Sequence, residues 1–376
     1  MGLWSWLFGN GASDEEKDSE TGGGESQASD ASGGEEKKAA TTEQPELADR
    51  LAVGPLLDHT ATTVLVDDHP DFLRSLVMLR LPDEPSRIFA YPEKALEWLR
   101  ANAPPHPLTR KWQELDLERQ PRKWPEALAA LRAYANDPKR FAVVSTLLSD
   151  YDMPRMNGMQ LCQQAPAHIV KIMQSGMVFS DGIEQAIKAG IIRQFVPKGS
   201  GEGKLEKALA EAREVYFRQV GQPLAEALAS QLAREQSALF TSGFAVWLWE
   251  HMERLAAAEM YLWDSVGSHV VVQKEGTAHA LCVQNPQQAA KVVQDARSEH
   301  VPQTLRQELL DRKKMVCRVT AAGVEIPPPR EWKRHAYPAV SVEGEHGTFL
   351  CCHVPKVDVL APDRLSLHAY TEQEQL

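Results

Sequence analysis

Five segments of this chain fall, in order, around the strand ends of one parallel sheet. They are Val64-Leu65-Val66-Asp67-Asp68, Ser149-Asp150-Tyr151-Asp152-Met153-Pro154-Arg155-Met156-Asn157-Gly158, Gln174-Ser175-Gly176, Ala189-Gly190 and Phe195-Val196-Pro197-Lys198. Between them the sequence alternates short apolar runs with stretches of helical period. An apolar run over 62–67 ends in acid, and a helix over 70–80 places Phe72, Leu73, Leu76 and Leu79 on one face between Pro70 and Pro82. A strand over 87–91 and a helix over 92–102 follow. The strand over 142–148 is apolar enough to be covered on both faces. A short helix after Gly158, a strand over 168–174, a helix over 181–189 stopped by Gly190, and a strand over 194–198 come next. Leu205, Ala208, Leu209, Ala212 and Val215 then line one face of a closing helix. Five strands alternating with five helices predict a doubly wound α/β sheet, with ligands outside the carboxyl ends of the strands.

The acids gather where such a sheet binds ligands. Asp67, Asp68 and Asp150 each stand at the carboxyl end of a predicted strand, and three clustered carboxylates repel one another unless a cation is present. A hard divalent ion answers that, and Mg²⁺ held by a few carboxylates, waters and a phosphoryl oxygen is the usual solution. Lys198 arrives at the end of the fifth strand as a point charge able to pair with a phosphoryl group. Ser175 offers a hydroxyl at the end of the fourth. Taken singly, each part also reads as an ordinary strand end or turn; the ordered set describes a carboxylate that accepts a phosphoryl group and a switch that senses it.

Across about residues 61–220 this arrangement resembles the receiver domain of two-component response regulators, a flavodoxin-like five-stranded parallel fold. The resemblance implies that Asp150 is the phosphoacceptor. It makes Asp67 and Asp68, with the main-chain carbonyl of Asp152, the remaining protein ligands of Mg²⁺. It also makes Ser175 the switch hydroxyl, Phe195 the aromatic switch position and Lys198 the phosphate-contacting lysine. Three departures stand out. Gly199 follows the lysine where the family usually has proline, and Pro197 precedes it. The spacing from Asp150 to Ser175 is a few residues short, which implies a trimmed third helix. Residues 103–140, Pro- and Arg-rich with Trp112 and Trp124, are an insert, read as a helical hairpin with 124–136 its clearer half. It should lie at the end of the sheet away from the ligand crevice, as a solvated decoration or a partner surface.

Outside this region the sequence says less. Residues 1–50 carry twelve acidic and four basic residues, so most of the net charge of -11 sits in a tail read as disordered. The rest is close to balanced, unlike a nucleic-acid-binding surface. The tip from Met1 to Phe8 is apolar, too short for a signal peptide, and open either to weak membrane contact or to no role. Five cysteines without a C-x-x-C pair fit a reducing, cytoplasmic setting, and Cys351-Cys352-His353 reads as buried strand rather than a metal site. Residues 221–376 read as a second, α+β domain. It should hold a helix continued by Leu224, Leu228 and Leu232, a helix over 244–259, and a meander over 260–263, 269–273 and 278–283. Helices over 287–300 and 303–315 and strands over 316–319 and 348–354 complete it. Glu259-Met260-Tyr261-Leu262-Trp263-Asp264 with Gly267-Ser268 resembles the output module of the same receiver subgroup, whose biochemistry the resemblance does not supply. Trp247, Trp249 and Trp263 read as core rather than as a ligand cage. No helix-turn-helix, cyclase, Walker or kinase motif is present. The densest basic cluster is Arg312, Lys313, Lys314 and Arg318.

The expected function is a response regulator that accepts a phosphoryl group on Asp150 from a sensor histidine kinase and acts on a protein target without specific DNA binding. Two other readings stay open: an enzymatic or ligand-binding output, and a phosphorylation-independent scaffold.

Overall fold

The computed structural model describes residues 55–376 apart from 81–83, 177–180, 201–202, 298–299, 346 and 375–376. The tail over 1–50 and its apolar tip lie outside the described residues. The chain opens with a short strand, β1 (Leu57–His59), and then alternates β2 (Thr62–Val66), α1 (Pro70–Arg80), β3 (Ser86–Phe89) and α2 (Pro92–Asn102). The insert forms α3 (Pro107–Leu115) and α4 (Trp124–Tyr134). The alternation then resumes with β4 (Val144–Asp150), α5 (Gly158–Gln164), β5 (Val170–Ser175), α6 (Asp181–Lys188), β6 (Gln194–Pro197) and α7 (Lys204–Gln231).

Strands β2 to β6 form one parallel sheet in the order β3-β2-β4-β5-β6. Every residue of β2, β4 and β5 is buried, as in a sheet covered by helices on both sides. Helix α5 is only seven residues long, the trimming that the short spacing implied, and a capping box between Asn157 and Gln160 starts it.

The C-terminal half contributes α8 (Ser242–Arg254), β7 (Ala257–Leu262), β8 (His269–Gln273), β9 (Ala278–Gln284), α9 (Pro286–Asp295) and α10 (Gln303–Leu310). It ends with β10 (Lys314–Val316), β11 (Arg318–Thr320), β12 (Gly323–Glu325), β13 (Ala336–Gly344), β14 (Gly347–Val354) and α11 (Leu367–Glu374). The expected meander is the middle of a seven-stranded antiparallel sheet ordered β1-β7-β8-β9-β14-β13-β10, and β11 and β12 make a separate ribbon. Helix α8 stops five residues before the expected 259, because Ala256 takes φ +45 and the chain turns into β7. Helix α10 stops at Leu310 rather than 315, since Lys314–Val316 is drawn into the sheet beside β13.

Three placements differ from expectation. β1 pairs with β7, Leu57 opposite Tyr261, so the residues just before 61 belong to the second sheet. Helix α7 runs unbroken for 28 residues through the expected division at 220/221, with Pro223 inside it. The insert is more than solvated decoration, because one of its faces is packed. Leu108, Trp112, Leu128, Leu131 and Tyr134 bury its apolar stripe, Trp112 Nε1 donates to the Val220 carbonyl of α7 (2.8 Å), and Arg132 donates to the Trp263 carbonyl (2.8 Å). The hairpin thus joins the two sheets, leading into the amino end of β4, opposite the crevice.

Candidate functional site

The order of the parallel sheet reverses between β2 and β4, and their carboxyl ends open the crevice of a doubly wound fold. Asp67 directly follows β2, and Asp150 is the last residue of β4. Lys198 follows β6 at the far edge, yet its Nζ lies 2.7 Å from Asp67 Oδ2 and 3.0 Å from Asp150 Oδ1. The local chain allows this reach. Pro197 ends an edge strand, where a missing N–H costs nothing, and the Lys198 N–H resumes the pairing by donating to the Ser175 carbonyl (2.8 Å). Gly199 then turns the backbone away at φ +77. The Pro197–Lys198–Gly199 departure therefore leaves the ammonium in the crevice.

Asp150 is only 4% exposed. Burial pushes its carboxyl above the ordinary range, the Lys198 hydrogen bond and charge pull it back, and the Asp67 charge pushes it up again. For Lys198, burial acts downward, but hydrogen bonds to Asp67 and Asp150 prevail and hold it above its ordinary value. Its amine also stands 5.2 Å from the centre of the Phe72 ring. Asp68 Oδ1 is sealed from solvent with no hydrogen bond; His69 Nδ1 lies 2.9 Å away but outside hydrogen-bond geometry. The main-chain N–H of His69 donates to Asp67 Oδ1 (2.9 Å), fixing that carboxylate.

Ser175 is buried at the end of β5, and its hydroxyl donates to Asp152 Oδ2 (3.3 Å). The Asp152 carbonyl accepts no hydrogen bond from any described residue. Phe195 is half-buried in β6 and packs with the core that contains Met173, Ile183 and Ile192. Asp67, Asp150 and Lys198 are thus in direct contact, while Asp68, Asp152 and Ser175 stand around them.

Three features escaped the sequence reading. His69 brackets both acids of the pair, a position signalled only by its adjacency to them. Phe72 shares the apolar face of α1 in the sequence pattern, yet its ring lies near the Lys198 amine and is 36% exposed. Gly158 was part of the motif, but its reason is packing: a Cβ there would sit 2.0 Å from the Asp150 carbonyl oxygen. The start of α5 lies directly against the backbone of the buried acid, and only glycine fits.

No protein-family model matches this sequence, and no curated protein matches it. Among solved structures, the response regulator LqsR of Legionella pneumophila matches 86% of this chain and 96% of that one, at 22% identity and a TM-score of 0.66. A CheY-like receiver domain protein of Methanospirillum hungatei JF-1 matches 43% of this chain and 98% of that one, at 16% identity and a TM-score of 0.29. The receiver domain of an HD domain-containing protein of Pseudomonas fluorescens Pf-5 matches 42% and 97%, at 19% identity and the same score of 0.29. The first of these likenesses spans both sheets, and the chain shares the fold of that Legionella response regulator.

Proposed function

We propose that this chain is a response regulator that accepts a phosphoryl group on Asp150 from a sensor histidine kinase and signals through protein contacts. The contact of Lys198 Nζ with both Asp67 and Asp150, made from the far edge of the sheet, carries the reading. It gathers two acids and a cation at the one crevice where a doubly wound sheet binds its ligand.

The donor set fits Mg²⁺. Asp68 supplies a buried oxygen with no hydrogen bond, Asp152 an unclaimed carbonyl, and Asp67 and Asp150 carboxylates close by. Oxygen donors of this kind suit a hard cation. When bound, the ion neutralises charge on the acids and the transferring group. Asp150 supplies the attacking oxygen: its bond to phosphorus forms as the bond from phosphorus to the kinase imidazole breaks, and the electron pair leaves with that imidazole. Lys198 balances the charge gained at Asp150, and Ser175 is placed to exchange its Asp152 partner for a phosphoryl oxygen. The half-buried Phe195 would follow that exchange and alter the face of β6 and α6.

Charge pairing in the C-terminal half supports a protein-directed output. Of the basic cluster, Lys313 pairs with Asp311 (3.4 Å), Lys314 with Glu308 (2.9 Å), and Arg318 with Glu325 (2.7 Å) and Glu331 (2.8 Å). Cations already neutralised in this way make poor phosphate-backbone contacts. Trp263 is core, with its Nε1 donating to the Thr320 carbonyl, Trp247 is a buried residue of α8, and Trp249 Nε1 donates to Glu253 on the same helix, so the three tryptophans are engaged in packing and local hydrogen bonds. No helix of the described residues is long and apolar enough to cross a membrane.

A small-molecule phosphodonor or a cognate kinase should label the protein with base-labile acyl phosphate in the presence of Mg²⁺ and not in its absence. Undiminished labelling of Asp150→Asn would overturn the assignment.

A further inference from the structure

A second constellation lies far from the crevice, on one face of the antiparallel sheet. The run Cys351-Cys352-His353 is divided by the two-residue period of β14: Cys351 faces the large core with Leu281 and Val283, while Cys352 faces the opposite side with Ala280 and Cys282. Cys352 stands directly opposite Cys282 across the β9–β14 pair, which puts both side chains on one face. The third member comes from the junction of β10 and β11. There the Gln284 side chain donates to the Val316 carbonyl (2.7 Å), and the Cys317 N–H donates to the His335 carbonyl (3.0 Å). These bonds hold Cys317 over the sheet, with its Sγ 3.6 Å from Cys352 Sγ.

The three sulfur atoms all lie within 4.8 Å of one another, and the three residues are 0–2% exposed. A metal bonded to three sulfurs at about 2.3 Å in a trigonal plane would set them about 4.0 Å apart, so the trio needs only small adjustment. Among the described residues, no histidine or carboxylate joins the three within that reach. Met315, Leu350, Val354 and Ala289 surround the trio with apolar side chains, and the half-buried Tyr337, which also packs against the cluster, carries a phenol, a group outside the usual zinc ligands. Structural Zn²⁺ is almost always four-coordinate, and an open zinc site needs water, which this environment excludes. A soft ion content with three sulfurs remains.

We propose that Cys282, Cys317 and Cys352 form a three-sulfur site for Cu(I) that fastens the β11–β12 ribbon to the antiparallel sheet. The ribbon begins one residue after Cys317, and Val319 and Val324 already pack on this cluster and on the larger core. Binding at the trio would tie the segment at Cys317, otherwise held by apolar contact and a few hydrogen bonds, to the paired strands β9 and β14.

The test uses the reduced, metal-free full-length chain, titrated anaerobically with Cu(I) in competition with bicinchoninate. One Cu(I) per chain should be withheld from the chelator, and X-ray absorption at the copper edge should show three sulfur neighbours with no nitrogen or oxygen. Cys351→Ala and Cys162→Ala, at buried cysteines outside the trio, should keep the withheld copper; Cys282→Ala and Cys352→Ala should lose it. Substitution in a core can unfold a sheet, so the sulfur count of the unaltered protein is the independent arm. No withheld copper, a count of two sulfurs, or retention by folded Cys352→Ala would show three thiols that merely pack as small apolar groups. Displacement of Cu(I) by equimolar Zn²⁺ would overturn the choice of ion.

Discussion

Lys198 lies between two carboxylates because the residues on either side of it permit the reach, one by lacking an N–H and the other by taking a positive φ. Its removal leaves Asp67 and Asp150 without their cation and takes a repelling charge from the neighbourhood of any bound Mg²⁺. Lys198→Ala should therefore bind Mg²⁺ at least as tightly as the parent, measured by titration calorimetry, while losing the phosphorylation-dependent change in partner binding. Parental behaviour in that second assay would show that the contact has no part in the switch. Gly158 makes a sharper demand. An alanine Cβ would meet the Asp150 carbonyl at 2.0 Å, so either the loop or the end of β4 must move. Displacing a reacting group by about 1 Å costs on the order of a hundredfold in rate. Gly158→Ala should slow acyl-phosphate formation by about that factor, with Mg²⁺ affinity falling alongside if the loop carbonyl of Asp152 is a ligand.

Where β1, the insert and α7 meet, the elements are held by a hydrogen-bonded chain whose proton positions follow from its ends. The Leu108 N–H donates to His106 Nδ1, so His106 carries its proton on Nε2 and donates it to Tyr134 Oη (3.0 Å). The Tyr134 hydroxyl then donates to His59 Nε2 (3.0 Å), and His59 Nδ1–H donates to the Thr60 carbonyl (2.8 Å). Both imidazoles are neutral. Burial pushes His59 down to about 3 and His106 well below its ordinary value. Burial likewise pushes His269 and His353 down to about 4. Below about pH 6.5 the unfolded chain takes up protons that the folded chain refuses, so stability present above that pH is lost as pH falls towards these values. Each such histidine contributes a slope of up to about 1.36 kcal/mol per pH unit. Asp58 and Asp264, raised by burial, act the other way in the window above 3.8. Urea midpoints should therefore fall from pH 6.5 to pH 5, and a flat profile would mean that these rings are not buried neutral. None of this network was legible in the sequence, because His59 and Tyr134 are 75 residues apart and neither belongs to a motif. The parallel sheet was legible, since four of its five strands, β2, β4, β5 and β6, each lead into a residue with chemistry at the carboxyl end. β1 was not, because three residues without alternation give no period, and its partner β7 lies about two hundred positions on. The cysteine trio was equally hidden: Cys351 and Cys352 are adjacent in sequence, but the strand period sends them to opposite faces.

For the whole molecule, the question is whether the two sheets fold and respond as one body. Arg140, at the end of the insert, is fully buried and pairs through Nε and a terminal nitrogen with both oxygens of Glu259 in β7 (2.7 and 3.2 Å). Tyr261 donates to the same carboxylate (2.7 Å), Arg364 near the C-terminus also contacts it, and the Ala361 N–H donates to the Asn136 side chain (2.8 Å). With α7 shared between the sheets, a cut at 220/221 would sever a helix whose Tyr216, Phe217, Leu224 and Leu228 belong to a single core. A fragment spanning 61–220 should expose that face and aggregate, and the full chain should unfold in one calorimetric transition. Breaking the ion pair from one side leaves a buried carboxylate under-compensated, a loss of about 3–5 kcal/mol, nearer the lower figure here because Arg364 remains. Arg140→Met should lower stability by that amount, and adding Glu259→Leu in the same chain should recover part of it, since a buried pair replaced by apolar groups is often near neutral. If Arg140→Met instead splits unfolding into two transitions and leaves acyl-phosphate formation intact, the ion pair is the clasp through which the phosphorylated sheet bears on the second. An unchanged single transition at lower temperature would place that coupling in α7.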